Sequence, residues 1–317
     1  MSLHVLMARL DSEGDVLLAG PAVRAVAAGA SRVTVLCGPR GRQAAGLLPG
    51  VDRVLVHLAS WIDPAPPPLD RRATLAFVDE IRRRQIDQAL IFTSFHQSPL
   101  PLALLLRLAG VPTIAAICED YPGSLLDVRH HVDEDLHEVE RALSLAATLD
   151  HRLPAGDDGR LDVEAEPPPV GLPSRYVVVH PGAAAPARAW SPARHTSLVR
   201  ALGRAGENVV VTGGPDEAEL TATVSRGAAA AVDLGGRTSL ASLAGVIAGA
   251  EAIVVGNTGP AHLAASVGTP IVSLFAPTVP AARWRPWGVE HELLHVDVEC
   301  AGCRARSCPV PGHPCLE

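Results

Sequence analysis

Residues 252–267, with the sequence AIVVGNTGPAHLAASV, predict a strand, a tight turn and a helix in succession. The apolar run Ala252–Val255 is typical of a buried strand, and the residues from Leu263 onward favour a helix. A turn of small residues between them can hold a phosphate, because a helix N-terminus offers unpaired N–H groups and a partial positive charge. Such turns also serve as ordinary connections in α/β proteins. The residues that would bind the phosphate are Asn257, Thr258, Gly259 and His262.

The same alternation of predicted strands and helices runs through most of the chain. It predicts an α/β protein with two Rossmann-like halves, each built on an open parallel sheet. The acidic, proline-rich run Glu164–Pro169 interrupts the pattern and predicts a semi-rigid linker. The expected organisation is a domain over residues 1–163, a linker over 164–174, a second domain over 175–295, and a cysteine-rich tail over 296–317. Ligands of such sheets bind beyond the carboxyl ends of the strands.

Composition and charge narrow the classes of function. The chain has 317 residues, 48% hydrophobic and 19% charged, and a net charge of -7, which argues against a general nucleic-acid binder. No run is long and apolar enough for a transmembrane segment, and the first residues lack the pattern of a signal peptide. We therefore expect a cytoplasmic protein with reduced cysteines. Peripheral contact with a membrane surface is compatible with this expectation.

Several loops of the second half follow predicted strands and offer polar groups to a ligand. Arg188 suits the phosphates of a nucleotide diphosphate, and Asp216 or Glu217 suits ribose hydroxyls. Thr238 lies in a third loop of this kind. The alternative is that Arg188 is a solvated surface arginine.

A carboxylate stands out in the first half. Asp15 follows the first predicted strand and comes after Arg9 and Gly14 in the sequence. It lies at an expected turn from strand to helix, and this turn would face a cleft between the two halves. A carboxylate at that place could take a proton from an attacking hydroxyl. The other interpretation makes Asp15 an N-cap, a common role for aspartate.

Taken in order, these motifs resemble glycosyltransferase family 9, which contains the ADP-heptose:lipopolysaccharide heptosyltransferases. The resemblance rests on the stretch Arg9–Leu18, Pro181-Gly182, Arg188 with Trp190, Gly213–Glu217, Arg237–Leu240, Asn257–His262 and Gly268–Thr278. It implies a GT-B fold, in which two Rossmann-like domains with parallel sheets face a central cleft. It also implies transfer of a sugar, heptose or related, from a nucleotide-diphosphate donor to an acceptor hydroxyl with inversion.

The resemblance assigns roles residue by residue. It implies that Asp15 is the general base, with Arg9 and Gly14 on the acceptor side. Arg188 matches the basic position that binds the donor diphosphate. The remaining donor positions implied by the resemblance are Asp216, Glu217, Thr238, Asn257, Thr258, Gly259 and His262.

Two departures from the family pattern bear on the choice of donor. Asn257 stands where many members have aspartate, and Ala183 and Ala184 stand where heptosyltransferases tend to carry hydroxyls. No Asp-x-Asp motif lies in the position expected for a metal-dependent enzyme, so we expect catalysis without a metal cofactor. The acceptor would be an envelope glycan or a natural product. The alternatives are a nucleotide-sugar epimerase or hydrolase on the same fold, and a nucleotide-sugar-binding protein without catalysis.

The tail contains Cys300, Cys303, Cys308 and Cys315, with His313 among them. Four thiols and an imidazole so close in sequence could form a structural zinc site. The spacing is not that of a standard paired zinc knuckle, so disulfides and free thiols are the alternatives.

Overall fold

A computed structural model describes residues 2–94, 97–133 and 135–316. The chain divides into two compact units, Met1–Gly159 and Arg160–Glu317. No helix in the described parts of the chain has the length and apolar character needed to cross a bilayer.

The first unit is built on a six-stranded sheet whose described strands all run parallel, in the order β3-β2-β1-β4-β5-β6. The strands are β1 His4–Arg9, β2 Arg32–Cys37, β3 Arg53–Val56, β4 Gln88–Phe92, β5 Thr113–Ile117 and β6 Val128–His130. The helices are α1 Glu13–Leu18, α2 Gly20–Ala27, α3 Arg42–Leu47, α4 Arg71–Arg84, α5 Leu100–Leu108 and α6 Glu138–Ala147. Every residue of β1 is buried, as expected for the central strand of a parallel sheet covered on both faces.

The second unit repeats this plan with β12-β11-β10-β7-β8-β9, again all parallel among the described residues. Its strands are β7 Val177–His180, β8 Val209–Val211, β9 Val232–Asp233, β10 Ala252–Gly256, β11 Ile271–Leu274 and β12 His291–Leu294. Its helices are α7 Pro192–Arg204, α8 Ala218–Ser225, α9 Leu240–Ala248, α10 Gly259–Ser266 and α11 Ala281–Trp284.

The two sheets have the same topology, because in both the first strand of the unit pairs with its second and fourth strands. This is the strand order of the Rossmann fold, in which the direction of winding reverses between the first and fourth strands. The prediction of two Rossmann-like α/β halves is confirmed. The reversal points, β1/β4 and β7/β10, are where such sheets bind ligands.

The structure corrects several predicted elements. Two edge strands, β6 and β12, were missed, because both are short and carry polar residues. The apolar stretch after β1, which reads as one helix from Leu17 to Ala28, forms parts of two helices, α1 and α2, that meet at Ala19. The helix expected from Leu263 begins at Gly259, with Pro260 in its first turn, where proline is tolerated.

The proline-rich run Glu164–Pro169 contains neither helix nor strand and belongs to the second unit. The Glu166 N–H donates to the Ala241 carbonyl at 3.1 Å, and the side chains of Leu161 and Val163, just before the run, are buried. A Cβ on Gly245 would lie 1.8 Å from the Glu166 carbonyl oxygen, so glycine permits this segment to lie directly on α9. The segment is therefore held along part of its length.

Candidate active site

The sequence-predicted base, Asp15, lies in a cluster of charged groups centred on Arg9, the last residue of β1. The buried Arg9 guanidinium pairs with Asp11 at 3.2 Å, Asp15 at 3.0 Å and Glu138 at 3.4 Å. Ser94, which follows β4, accepts from Arg9 at 2.8 Å and donates to Asp11 at 2.6 Å. The cluster thus joins the ends of β1 and β4 at the reversal point of the first sheet, and α6 contributes Glu138.

The two aspartates of this cluster differ in exposure. The Asp11 side chain is 7% exposed and the Asp15 side chain 17%. Burial raises the pKa of Asp11, although Arg9 and the Ser94 hydroxyl oppose that shift. Burial disfavours the charge on Arg9, but the neighbouring carboxylates outweigh it and raise the pKa of Arg9, so the guanidinium stays charged. Asp15 is the more accessible carboxylate of the pair.

Asp15 is fixed by its position in the first turn of α1. Its Oδ2 accepts from the Ser12 hydroxyl at 2.6 Å and from the Ser12 N–H at 3.4 Å, while Oδ1 accepts from Arg9. The N-cap residue is Ser12, so the interpretation of Asp15 as the N-cap is wrong, although Asp15 supports the cap from within the helix. Gly14 is buried in α1 and has no side chain to offer a ligand. The carboxylate is oriented at both oxygens and partly open to solvent.

Arg188 is the centre of the candidate site in the second unit. It ends a short 3-10 turn in the loop after β7, and its side chain is partly buried. Its Nε donates to the Thr278 hydroxyl at 3.2 Å, and its NH1 donates to the Asn257 carbonyl at 3.5 Å. Contacts from the loops after β10 and β11 therefore hold the guanidinium, unlike a solvated surface arginine.

The side chain of Asn257 joins two loops. It is buried at the end of β10, where Nδ2 donates to the Ala276 carbonyl at 3.1 Å and Oδ1 accepts from the Ala276 N–H at 3.3 Å. Both polar atoms of the amide are thus engaged by the main chain of one residue. The side chain ties the loop after β10 to that after β11, and it is the main-chain oxygen of Asn257 that contacts Arg188.

This geometry predicts that Asn257→Asp lowers stability. The substitution replaces a donor by an acceptor facing the Ala276 carbonyl and leaves a charge in a buried place. A buried unsatisfied neutral group costs about 1–3 kcal/mol of unfolding free energy, and a charged group costs more. Denaturant unfolding at pH 7 measures the loss, which we expect to shrink at acid pH, where a protonated carboxyl again donates. Asn208→Asp is the matched control, because that amide also donates to a carbonyl, Arg175 O at 2.9 Å, but is exposed. Equal losses in the two variants would contradict the role assigned to Asn257.

The predicted phosphate turn forms the start of α10. Thr258 is its N-cap residue, and the Thr258 side chain makes no capping hydrogen bond. The Thr258 hydroxyl oxygen is buried and has no hydrogen-bond partner among the described atoms. Gly259 is the first residue of the helix and His262 is buried one turn later. The helix start and the Arg188 loop are linked through the Asn257 carbonyl.

The structure separates the two acidic candidates of the loop after β8. Asp216 is exposed, whereas the Glu217 carboxylate turns back to accept from the Gly214 N–H at 2.8 Å. Glu217 Oε2 also lies 3.8 Å from Nε2 of His180, the last residue of β7. A Cβ on Gly182 would lie 2.0 Å from the Glu217 Oε1, so glycine is needed for this approach. Glu217, and not Asp216, is therefore the acidic residue of this loop that lies beside the end of β7.

Sequence reasoning did not assign a role to His180 itself. Its Nδ1 lies 3.0 Å from the Thr212 hydroxyl, and burial lowers the pKa of His180 although Glu217 opposes the shift. The buried ring is thus kept neutral beside a carboxylate. Glu138, Ser94 and Thr278 were missed as well, because their places in the clusters depend on contacts distant in sequence.

Thr238 lies in the loop before α9, partly buried, next to the N-cap residue Ser239. Gly236 in that loop has a φ of 67°, a conformation that favours glycine, and its N–H donates to the Gly213 carbonyl at 2.9 Å. The loops after β8 and β9 are thus joined, and Thr238 belongs to the loop after β9, the edge strand two places from β7.

The four tail cysteines all line one small cavity, together with His313 and the loop residues Ala187 and Thr278. All of them are free thiols, from the buried Cys315 to the exposed Cys303. Burial, helped by the neighbouring thiols, raises the pKa of Cys315. Within residues 2–94, 97–133 and 135–316, no three His, Cys, Asp or Glu side chains are grouped so as to hold a metal ion. The zinc site stays a prediction, and we assign no role to a metal here.

Curated relatives and solved structures share sequence or fold with this chain. A lipopolysaccharide heptosyltransferase 3 of Escherichia coli is 33% identical over 121 residues, 37% of this chain and 35% of the relative. A lipopolysaccharide heptosyltransferase 1 of Pseudomonas aeruginosa is 33% identical over 238 residues, 72% of this chain and 65% of the relative. The matches thus span about two thirds or less of these relatives' lengths.

The fold is that of solved heptosyltransferases. The structure of E. coli heptosyltransferase WaaC with ADP-2-deoxy-2-fluoro heptose superposes with a TM-score of 0.74 at 22% identity, covering 93% of this chain and 94% of that one. This similarity confirms the predicted GT-B fold class. The family model described as glycosyltransferase family 9 (heptosyltransferase) matches residues 74–313. The chain belongs to glycosyltransferase family 9.

Proposed function

We propose that this protein is an inverting glycosyltransferase that moves a heptose or related sugar from a nucleotide-diphosphate donor to an acceptor hydroxyl. The oriented, partly exposed Asp15 carboxylate carries the proposal, because a protein that only binds nucleotide sugars has no need of a positioned base. Membership of family 9 and the heptosyltransferase relatives support it.

In the proposed reaction, the first unit activates the acceptor. Asp15 takes the proton of the acceptor hydroxyl, and that oxygen attacks the anomeric carbon of the donor sugar as the bond to the diphosphate oxygen breaks. Attack opposite the leaving group inverts the configuration at that carbon. Arg9 and Ser12 hold the carboxylate in place, so its position does not depend on the substrate.

The second unit holds the donor and stabilises the leaving group. The charge that develops on the diphosphate is met by the Arg188 guanidinium and by the N-terminus of α10, where Thr258, Gly259 and His262 lie. These groups supply positive charge themselves, and so we propose that transfer needs no metal cofactor. Glu217 beside His180 is the group that we assign to the nucleoside hydroxyls.

The donor that we propose is an ADP-linked sugar. One solved structure with this fold was determined with ADP-2-deoxy-2-fluoro heptose. We propose an envelope glycan as the acceptor, because the curated relatives are lipopolysaccharide heptosyltransferases. The free thiols favour a reducing compartment, and we therefore propose a cytoplasmic location.

A donor panel tests the proposed function. We expect ADP to raise the melting temperature more than GDP, UDP or TDP, since a ligand at 100 times its dissociation constant stabilises the native state by about 2.7 kcal/mol.

A transfer assay tests the reaction itself. Transfer from ADP-heptose to a lipopolysaccharide acceptor should proceed in the presence of EDTA and should invert the anomeric centre. Donor cleavage that is equally fast without acceptor would indicate a hydrolase. Binding of ADP without any turnover would indicate a binding protein, and loss of transfer in EDTA would contradict the metal-free mechanism.

A further inference from the structure

The tail contacts the loops that hold Arg188. The main chain of Ala187, the residue before Arg188, is bonded to the tail at both polar atoms: its N–H donates to the Arg306 carbonyl at 2.9 Å, and its carbonyl lies 2.9 Å from His313 Nε2. Because a carbonyl can only accept, His313 Nε2 carries a proton and donates it. The backbone of Ala187, directly before Arg188, is thus held by residues more than a hundred positions later in the chain.

The tail also bonds to the loop that contacts the Arg188 side chain. The Gly302 N–H donates to the Pro277 carbonyl at 2.7 Å, and the Arg304 N–H donates to the Thr278 carbonyl at 2.9 Å. The hydroxyl of the same Thr278 accepts from Arg188 Nε. The tail therefore connects the loop that carries the guanidinium to the loop that orients it.

An apolar cluster anchors the end of the tail to the same place. Cys315 and Leu316 are buried with Ala276, and Trp190 and Val298 pack against them. Ala276 is the residue whose main chain is bonded by the Asn257 amide. Movement of the tail would therefore disturb the loops after β7, β10 and β11 together.

We propose that residues 298–316 of the tail form a positioning element of the donor site, and that His313 is the side chain through which the tail places Arg188 against the donor diphosphate. His313 touches no substrate in this proposal and acts through the Ala187 carbonyl. The inference rests on the proposed function, since it assigns to Arg188 a diphosphate partner.

His313→Ala should weaken ADP binding about fivefold to tenfold, the effect of losing one hydrogen bond, and leave adenosine binding unchanged. Isothermal titration calorimetry of the full chain with ADP and with adenosine measures both affinities. His313→Gln should restore most of the ADP affinity, because its amide nitrogen can donate from nearly the same place. His313 has a φ of 53°, a backbone conformation that is unfavourable for alanine and glutamine alike. The difference in ADP affinity between the two variants therefore measures the contribution of the side-chain hydrogen-bond donor. His295→Ala, which removes an exposed histidine outside residues 298–316, is the control.

A double-mutant cycle separates positioning from general damage to the fold. If His313 acts through Arg188, His313→Ala should change ADP affinity little when Arg188 is already alanine. An equal loss in both backgrounds, an equal loss for adenosine, or failure of His313→Gln to restore affinity would each overturn the proposal.

Amide exchange of the unliganded protein tests the contact independently of nucleotide. Exchange over residues 183–190 should be faster in His313→Ala than in wild type or His313→Gln, and unchanged exchange would overturn the positioning role. If wild type binds none of the nucleotides, the proposed donor site fails, whereas the exchange result still decides whether the tail holds the Arg188 loop.

Discussion

Replacing Asp15 with asparagine is expected to lower kcat for sugar transfer about 100- to 10,000-fold, the usual contribution of a general base. Asparagine has nearly the same size as aspartate and keeps an oxygen that can accept a hydrogen bond from Arg9. It cannot take the proton of the hydroxyl group that attacks the sugar. The amide oxygen can keep the Arg9 contact that Asp15 Oδ1 makes, and the Ser12 hydroxyl can turn to accept from the amide nitrogen, whereas the Ser12 N–H loses its acceptor. Steady-state kinetics with saturating donor and acceptor measures the loss.

The effect on chemistry can be separated from effects on binding and folding. The proposed donor site lies in the second unit, and ADP affinity should therefore be unchanged in Asp15→Asn. Asp79→Asn is the matched control: this carboxylate on α4 is exposed and pairs with Arg82, and transfer should stay at the wild-type rate. Wild-type kcat in Asp15→Asn would remove Asp15 from the mechanism, and loss of ADP affinity together with kcat would indicate a structural defect.

Arg188→Ala is expected to weaken ADP binding about 10- to 100-fold, because hydrogen bonds from a charged donor to phosphate oxygens contribute more than neutral ones. The loss should be absent for adenosine, which has no phosphate. The side chain is already oriented by Thr278 and Asn257 without ligand, so little ordering is needed when the diphosphate binds. Calorimetric titration with ADP, AMP and adenosine shows whether the loss follows the number of phosphates.

Arg200→Ala provides the control for removing an arginine from this unit. Arg200 lies exposed on α7, so its removal takes away the same charge from the surface. ADP affinity that falls equally in both variants would indicate a general effect of net charge. Unchanged affinity in Arg188→Ala would refute its phosphate role.

Much of the fold is predictable because it depends on local sequence patterns. Apolar runs such as Val177–His180 form buried parallel strands, and Ser191 before Pro192 begins α7 as its N-cap. The edge strands β6 and β12 escape such reasoning, because a short polar strand is defined by its neighbour more than by its own residues.

The site is predictable only in part, for a related reason. The order of motifs from Arg9 to His262 is readable along the chain, and these motifs occur at the carboxyl ends of strands where α/β sheets bind ligands. The partners of each motif are not readable in this way. Glu138 reaches Arg9 across 129 positions and Thr278 reaches Arg188 across 90, and no local pattern indicates either contact.

The sequence by itself determined the two Rossmann-like halves, the family, and the candidate roles of Asp15 and Arg188. Only the tertiary structure decided that Asn257 uses its amide to join two loops, that Glu217 and not Asp216 turns toward His180, and that the cysteine-rich tail holds the Arg188 loop. The physical reason is that periodicity and turn chemistry act between near neighbours, whereas hydrogen-bond partners of buried polar groups are chosen by which loops the parallel sheet brings to the same edge.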